Sequence, residues 1–481
     1  MTATPVPLRT KLAYGAGAVA YGIKDNGYSV FLLLFYNQVV GLPAEQVGTI
    51  IALALVFDAI IDPLIGHLSD RTHTKWGRRH PWLYGSALPI ALSWMMLWHP
   101  PEGAPQTVLG YLLIVAIVTR AAIATNEVPS LAMAPEITRD YHERTLVLRY
   151  RFLFGWAGGL GMLIAAYGFF LAPPFGAQSG PLAPQGYSAY GIAGGLIMAA
   201  AVLVSAIGTH KRLAHPPATR IASKPLRAEL RGMRETLSNR AFLVLMLAAL
   251  FGFTNQGLAF AMSNYNLAFV WQFTPAQFVI YSLALFAGAV LTFVTIGPIA
   301  HRLGKAGAAG LLSVLAAVLT TSTYILRLLG VFPEPGSEAL LPMFLLLNTI
   351  GTAAAIGAMI LGASMMSDVV EASEERTGRR EEGLFFAGLL FVQKCATGLG
   401  IFISGLILSI AQFPRDARAG AVPESVLDSY TLMMVTVTLI LATLAALTFS
   451  RFPFGKAEHD ARLAKLAVAA AANTTGPGGK A

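Results

Sequence analysis

Charge and cysteine are what this chain is short of. Only 12% of its 481 residues are charged while 55% are hydrophobic, whereas soluble domains carry roughly 25% charged residues. That deficit excludes an ordinary water-soluble domain and marks a polytopic membrane protein. The single cysteine, Cys395, excludes a disulfide framework and a cysteine-ligated metal site. The nine histidines have no metal-ligand spacing on a helix face. A phosphate-binding loop of the GxxxxGK kind is missing too, which argues against ATP-driven pumping. Met1 to Arg9 precedes no lone apolar core with a small-residue cleavage site, so no removable signal peptide is expected. The net charge of +9 raises nucleic acid as a partner, but that requires a basic face on a soluble domain. Here the bases lie in loops between apolar runs, and no nucleic-acid partner is expected.

What is present is a series of apolar runs of about 20 residues, each able to cross ~30 Å of hydrocarbon. They fall near 11–40, 44–68, 82–98, 107–135, 146–172, 189–209, 241–271, 276–300, 306–329, 339–366, 384–412 and 429–451. The expectation is an all-α integral membrane protein with twelve transmembrane helices and the lipid bilayer as its surroundings. Pro100 with Pro101, Pro173 with Pro174, and Pro333 with Pro335 punctuate the runs, since proline removes a donor and restricts the residue before it. Of the 34 Lys and Arg residues, only Arg327, Arg415 and Arg418 lie on one side, and Lys24, Arg120 and Lys394 lie within runs. All others fall on the opposite side, so both termini are expected in the cytoplasm and the protein in the plasma (inner) membrane.

The longest internal polar segment, 210–240, is basic and contains Pro216, Pro217 and Pro225. It separates six runs in 1–209 from six in 241–451, leaving a polar and Ala-rich tail, 452–481, read as a disordered cytoplasmic extension. A basic loop follows the second run (Gly66 to Arg79) and a shorter one the eighth (His301 to Lys305). Two six-helix halves with matching loops indicate an internal duplication of the major facilitator type, in which substrate binds near the midplane between the halves.

Charges inside the runs are where chemistry is expected. An ionisable group at mid-membrane costs at least ~2.5 kcal/mol, so it faces a bundle interior, a cation or a water-filled cavity rather than lipid. The runs hold Lys24 and Asp25, Asp58 and Asp62, Arg120 and Glu127, and Lys394. Asp58 and Asp62 are four apart and share one helix face. Like charges repel there, so their coexistence points to a bound cation or a shared proton. Arg120 and Glu127 are seven apart, too far for easy contact, and Arg120 helps neutralise the cavity instead. Pairs that merely hold helices together are the plain alternative, above all for Lys24 and Arg120.

The run Asp58 to Gly66 (DAIIDPLIG), followed by Lys75, Trp76, Gly77, Arg78, Arg79, His80, Pro81 and Trp82, resembles the glycoside-pentoside-hexuronide:cation symporters, the group that includes melibiose permease. Tyr21 to Asp25, Glu127 to Pro129, Met133 to Thr138, Arg149 to Phe152, Ser367 to Glu371, Arg380 to Leu384, and Gln393 with Lys394 continue the match through both halves. The resemblance implies that Asp58 and Asp62 hold the coupling Na+ or take the coupling H+, with Lys394 beside them. It implies that Asp25, Glu127 and Arg151 hydrogen-bond sugar hydroxyls; carboxylates and guanidinium suit vicinal hydroxyls. Lys24 and Arg120 join these as bases of the substrate cavity. Two positions depart from the pattern. Leu131 stands where the permease has a sugar-stacking Trp, and Ala124 where a hydroxyl would help hold Na+.

At the cytoplasmic mouth, Asp70, Arg71, Arg78 and Arg79 are expected to gate, with Asp368 and Glu371 (and Glu374 and Glu375) as their partners across the half interface. Asn255, Gln256, Asn264, Asn266, Asn348 and Thr352 either line the cavity or bond helix to helix. Trp82, Trp98 and Trp271 are expected at the membrane interface. The expected function is a monomeric secondary transporter that moves a small sugar or glycoside with Na+ or H+ by alternating access, without a cofactor. An amphipathic lysolipid-like substrate is the alternative within transport. A membrane-embedded enzyme is the outsider, since the chain offers only carboxylates expected near a cation.

Overall fold

The structure, a computed structural model, describes residues 6–138, 140–172, 181–213, 239–377 and 382–453. Most of the expected linker 210–240 and tail 452–481 therefore lies outside the described residues, as does Arg380. The described chain is helical, with no strand beyond an isolated bridge between Thr74 and Gly77.

Helix α1 covers 8–39 and contains two π-turns, Gly27–Phe31 and Phe35–Val39. Then come α2 (Ala44–Arg71), α3 (His80–Leu97), α4 (Pro105–Ala132), α5 (Tyr141–Ala165, extended by the π-turn Ala166–Phe170) and α6 (Pro184–Leu213). The second set begins with α7 (Arg240–Tyr265, extended by the π-turn Asn266–Val270). The continuous element Pro275–Leu328 breaks at Gly304, whose φ of 73° and ψ of 161° are left to glycine, giving α8 (275–303) and α9 (305–328). Both arms pack on one neighbour, α10 (Leu340–Thr377): Thr292 Oγ1 donates to Ala353 O at 2.9 Å, and Gly351 abuts Thr320. The chain continues with α11 (Glu382–Ile410) and α12 (Glu424–Phe449).

Among the described residues, nine elements are long and apolar enough to cross a membrane. Each of the twelve apolar runs is helical, and the lower number has local causes. The π-turns divide α1, polar and proline residues dilute the 18-residue α3, and α8 with α9 count as one. Leu53, Ile60, Leu64 and Leu68 form an exposed stripe along α2 while Asp58 is buried on the other side. A water-soluble protein would not show so continuous an apolar face; lipid covers it.

Within the first six helices, α1 packs on α5 and α6, and α3 on α4 and α6; in the second six, α7 packs on α11 and α12. Between the sets the main contact is α2 against α11, built from small residues. A Cβ on Gly405 would stand 2.4 Å from Ala44 O, one on Gly48 3.0 Å from Ile401 O, and one on Gly398 3.2 Å from Ala52 Cα. These antiparallel backbones touch, which sets the height at which their polar residues meet.

Two tryptophans expected at the interface lie in the core. Trp98 and Trp271 are 2% and 1% exposed. Trp98 stacks on Tyr187 at 5.7 Å, and Trp271 packs among Tyr324, Phe332 and Phe344. Sequence position put them near helix ends, but neighbouring rings enclose them.

Candidate functional site

The α2–α11 contact carries Lys394 to the acidic face of α2. Lys394 Nζ lies 2.9 Å from Asp58 Oδ2 and 2.5 Å from Asp62 Oδ2. One ammonium therefore bridges two carboxylates a helical turn apart and removes the repulsion between them. Asp58 has a second partner: Arg120 Nη1 of α4 donates to the same Oδ2 at 3.1 Å. The guanidinium lies over the Tyr28 ring, 4.1 Å from its centroid, and Tyr28 is fixed by its hydroxyl donating to Ala116 O at 2.8 Å.

The two aspartates differ in access. Side-chain exposure is 3% for Asp58 but 26% for Asp62. Asp62 Oδ1 is a buried oxygen with no hydrogen-bond partner. Asp58 is thus enclosed by protein cations, while Asp62 is partly exposed and keeps acceptor capacity unused. Among the described residues no cluster of three His, Cys, Asp or Glu side chains is arranged to hold a metal ion. Lys394, expected beside the Asp58–Asp62 pair, spans the two carboxylates because α11 approaches α2 closely enough to insert it.

A second polar group lies beside the first. Lys24 Nζ donates to Glu127 Oε2 at 3.4 Å and sits 4.4 Å from the centre of the Tyr21 ring. Glu127 is partly exposed, whereas Lys24 is buried. Asp25 is half-buried, with Tyr21 and Arg120 in its field. Arg151 Nη1 donates to Ser130 Oγ at 2.7 Å, and its guanidinium is 5.7 Å from the Tyr14 ring centre. The structure thus brings Asp58, Asp62, Lys394 and Arg120 into one cluster and Lys24 and Glu127 into a neighbouring pair. Arg120, expected among the substrate-binding bases, is turned to Asp58. Tyr14, Tyr28 and Ser130 escaped sequence reading, since aromatic and hydroxyl residues at helical spacing give no distinctive signal.

At the end of the bundle that carries the basic loops, Arg79 donates to Ser69 Oγ at 2.6 Å and to Asp70 Oδ1 at 2.5 Å, and contacts Glu136 at 3.4 Å. Arg78 reaches the same Glu136 oxygen at 3.1 Å. In the other half Lys305 holds Asp368 at 2.7 Å. Arg71 and Glu371 are exposed. The cross-half partnership expected of Arg78 and Arg79 with Asp368 is not formed: each of these groups finds an opposite charge on its own half. Glu136 pairs with both arginines from within their own half.

The opposite end is tied across the halves. Tyr167 Oη donates to Asn264 Oδ1 at 2.6 Å, and Asn264 Nδ2 donates to Val30 O at 2.9 Å. Tyr265 Oη donates to Asn37 Oδ1 at 2.8 Å, while Gln38 donates to Pro414 O at 2.8 Å and accepts from Ala417 N at 3.1 Å. Phe31, Tyr167 and Phe278 pack with tilted rings beside them. These ties lie within or next to the π-turns of α1, α5 and α7. A π-turn widens the helix locally and re-aims side chains. Asn264 is therefore a cross-half tie, whereas Asn266 bonds Tyr430 at 2.7 Å within its own half.

Comparison with known proteins agrees with this architecture. Residues 13–456 match the family described as MFS/sugar transport protein. The inner membrane symporter YicJ of Escherichia coli K12 is 26% identical over 94% of this chain and 93% of its own. The isoprimeverose transporter of Lactiplantibacillus pentosus is 24% identical over 86% of this chain and 83% of its own. The sodium-dependent lysophosphatidylcholine symporter 1 of Gallus gallus is also 24% identical, over 92% and 86%. Among solved structures, the xylose transporter XylE from E. coli in its inward open conformation has a TM-score of 0.59 at 16% identity, covering 93% of this chain and 96% of that one. That likeness concerns the fold alone. A bundle with charges gathered between its halves and a family match along almost its whole length make this chain a transporter rather than an enzyme, and it belongs to the MFS/sugar transport protein family.

Proposed function

We propose that the protein is a cation-coupled symporter that carries a small sugar or glycoside by alternating access between the halves 1–209 and 241–451. The observation that carries this is the Lys394 bridge to Asp58 and Asp62. It joins the two halves through the residues assigned to the coupling ion, so any ion that displaces or neutralises part of the bridge changes how the halves hold together. Asp25, Glu127, Arg151 and Lys24 form the substrate side of the cleft. With both termini in the cytoplasm, Asn264, Tyr265 and Gln38 close the outer end and the molecule faces inward. Arg78, Arg79 and Asp70 then stand at the inner mouth, ready to re-pair when that side closes.

The test is uptake of a sugar panel into vesicles under imposed Na+ and H+ gradients in turn. Asp58→Asn and Asp62→Asn should each abolish gradient-driven accumulation while leaving folded protein in the membrane. Undiminished accumulation in both would refute the assignment. A lysolipid-like substrate is the second reading, supported by exposed Leu131 in place of a stacking ring and by the lysophosphatidylcholine symporter among the relatives. Lysolipids that compete for uptake where free sugars do not would favour it.

A further inference from the structure

We infer that Arg120, seated on Tyr28, is a resident counter-ion that closes the Asp58 side of the cation site to Na+. This rests on the coupling role proposed above for Asp58 and Asp62, and adds which ion the site rejects and which residue rejects it.

The inference starts from the charges. The groups facing Asp58 are Lys24 and Tyr28 of α1, Arg120 of α4 and Lys394 of α11; Asp62 faces Lys394, Glu127 and Asp58 itself. Asp58 and Asp62 with Lys394 alone would leave one negative charge to attract a metal cation. Arg120, which also lies in the field of Asp25, offsets it at Asp58. Arg120 is also fixed: it is 2% exposed, bonded to Asp58 Oδ2 at 3.1 Å and stacked at 4.1 Å on a ring that is itself anchored to Ala116 O. Withdrawing it would leave a buried guanidinium without its carboxylate, which is strongly disfavoured.

Ligand chemistry points the same way. A hard metal cation is held by several oxygens converging on it. Here Asp58 Oδ2 already accepts from two cationic nitrogens, at 3.1 and 2.9 Å. An Na+ at that oxygen would lie within a few ångströms of two like charges. A proton needs only one lone pair, and Asp62 Oδ1 keeps one unpartnered. With the Asp58 oxygen already taken, one remaining carboxylate oxygen suits a proton better than a metal cation that needs several converging ligands. Sequence alone could not separate Arg120 from the substrate-binding bases, because its neighbour on the same face is Glu127 and its partner is on another helix.

The experiment measures thermal stability of the purified full chain in detergent with NaCl against choline chloride at equal ionic strength, which needs no knowledge of the substrate. Wild type should show no Na+-specific stabilisation. Arg120→Gln should acquire a saturable one, with apparent Na+ affinity raised by about tenfold or more, since a unit charge a few ångströms away is removed. Arg120→Lys should restore indifference to Na+, which a role confined to packing would not produce. Na+-specific stabilisation of the wild type overturns the inference even if Arg120→Gln fails to fold, and so does a well-folded Arg120→Gln that stays indifferent. If neither gradient drives uptake of any sugar in the panel, the symport assignment fails instead, and the Na+ measurement still decides whether Arg120 excludes the ion.

Discussion

Replacing Lys394 with methionine tests the charge bridge most directly. Its ammonium lies 2.9 Å from Asp58 and 2.5 Å from Asp62, and at an effective dielectric of about 20 each contact has a Coulomb attraction of roughly 6 kcal/mol before desolvation is counted. The net loss is smaller and unequal. Asp58 retains Arg120, so Asp62 is the carboxylate left unpaired. Breaking a buried pair from one side costs about 3–5 kcal/mol, and the partial exposure of Asp62 places the expected loss near the lower bound. Adding Asp62→Asn to Lys394→Met removes the stranded charge, so the double variant should recover about 2 kcal/mol relative to additivity. Thermal or denaturant unfolding of the four proteins in the cycle provides the measurement. Additive losses, or a Lys394→Met variant as stable as wild type, would refute the bridge. The cycle separates folding from transport, because the double variant should be stable yet unable to couple uptake to a gradient.

Other outcomes follow from individual contacts. Asn264→Ala deletes two cross-half hydrogen bonds, each worth about 1 kcal/mol, and should favour opening of that end by roughly 30-fold. A thiol placed by Phe31→Cys in a Cys395→Ser background should then react faster with a hydrophilic reagent added from that side, and an unchanged rate would count against the gate. Gly304→Val forces a side chain onto a backbone with φ 73° and ψ 161°, at a cost of about 1–3 kcal/mol, read as a lower Tm. Glu143 is held below the ordinary carboxylate range, chiefly by the hydrogen bond from Lys11. Because its folded value is lowered, the stability from this contact is present above about pH 4.3, the value of a free glutamate, and is lost as pH falls through the lowered value. The acid side of the Tm profile should therefore flatten in Glu143→Gln.

Some of the site was legible because helical periodicity is a local property. Asp58 and Asp62 occupy one face of α2 whatever surrounds them, and a membrane span must give such a face a polar partner. Lys394 was legible as a lone charge in its own run. What could not be read was the allocation of partners. Arg120 and Glu127 share a helix, yet one reaches Asp58 and the other Lys24. Asp368 and Arg79 looked like a natural pair across the halves, yet they pair with Lys305 and with Asp70 and Glu136.

Sequence by itself determined that the chain lives in a bilayer, that it crosses as helices, and which few charges those helices carry into the apolar layer. Each follows from composition and short-range spacing, which do not depend on how the helices are arranged. Tertiary structure alone decided that Lys394 bridges the two aspartates, that Arg120 sits on Tyr28 against Asp58, and that the end formed by Asn264, Tyr265 and Gln38 is shut. The first depends on the contact of α2 with α11 through Gly48, Gly398 and Gly405, the second on the packing of α4 and α1 around α2, and the third on α7 meeting α1 and α5. Such contacts join residues far apart in the chain, and their register is set by backbone proximity that no local pattern encodes.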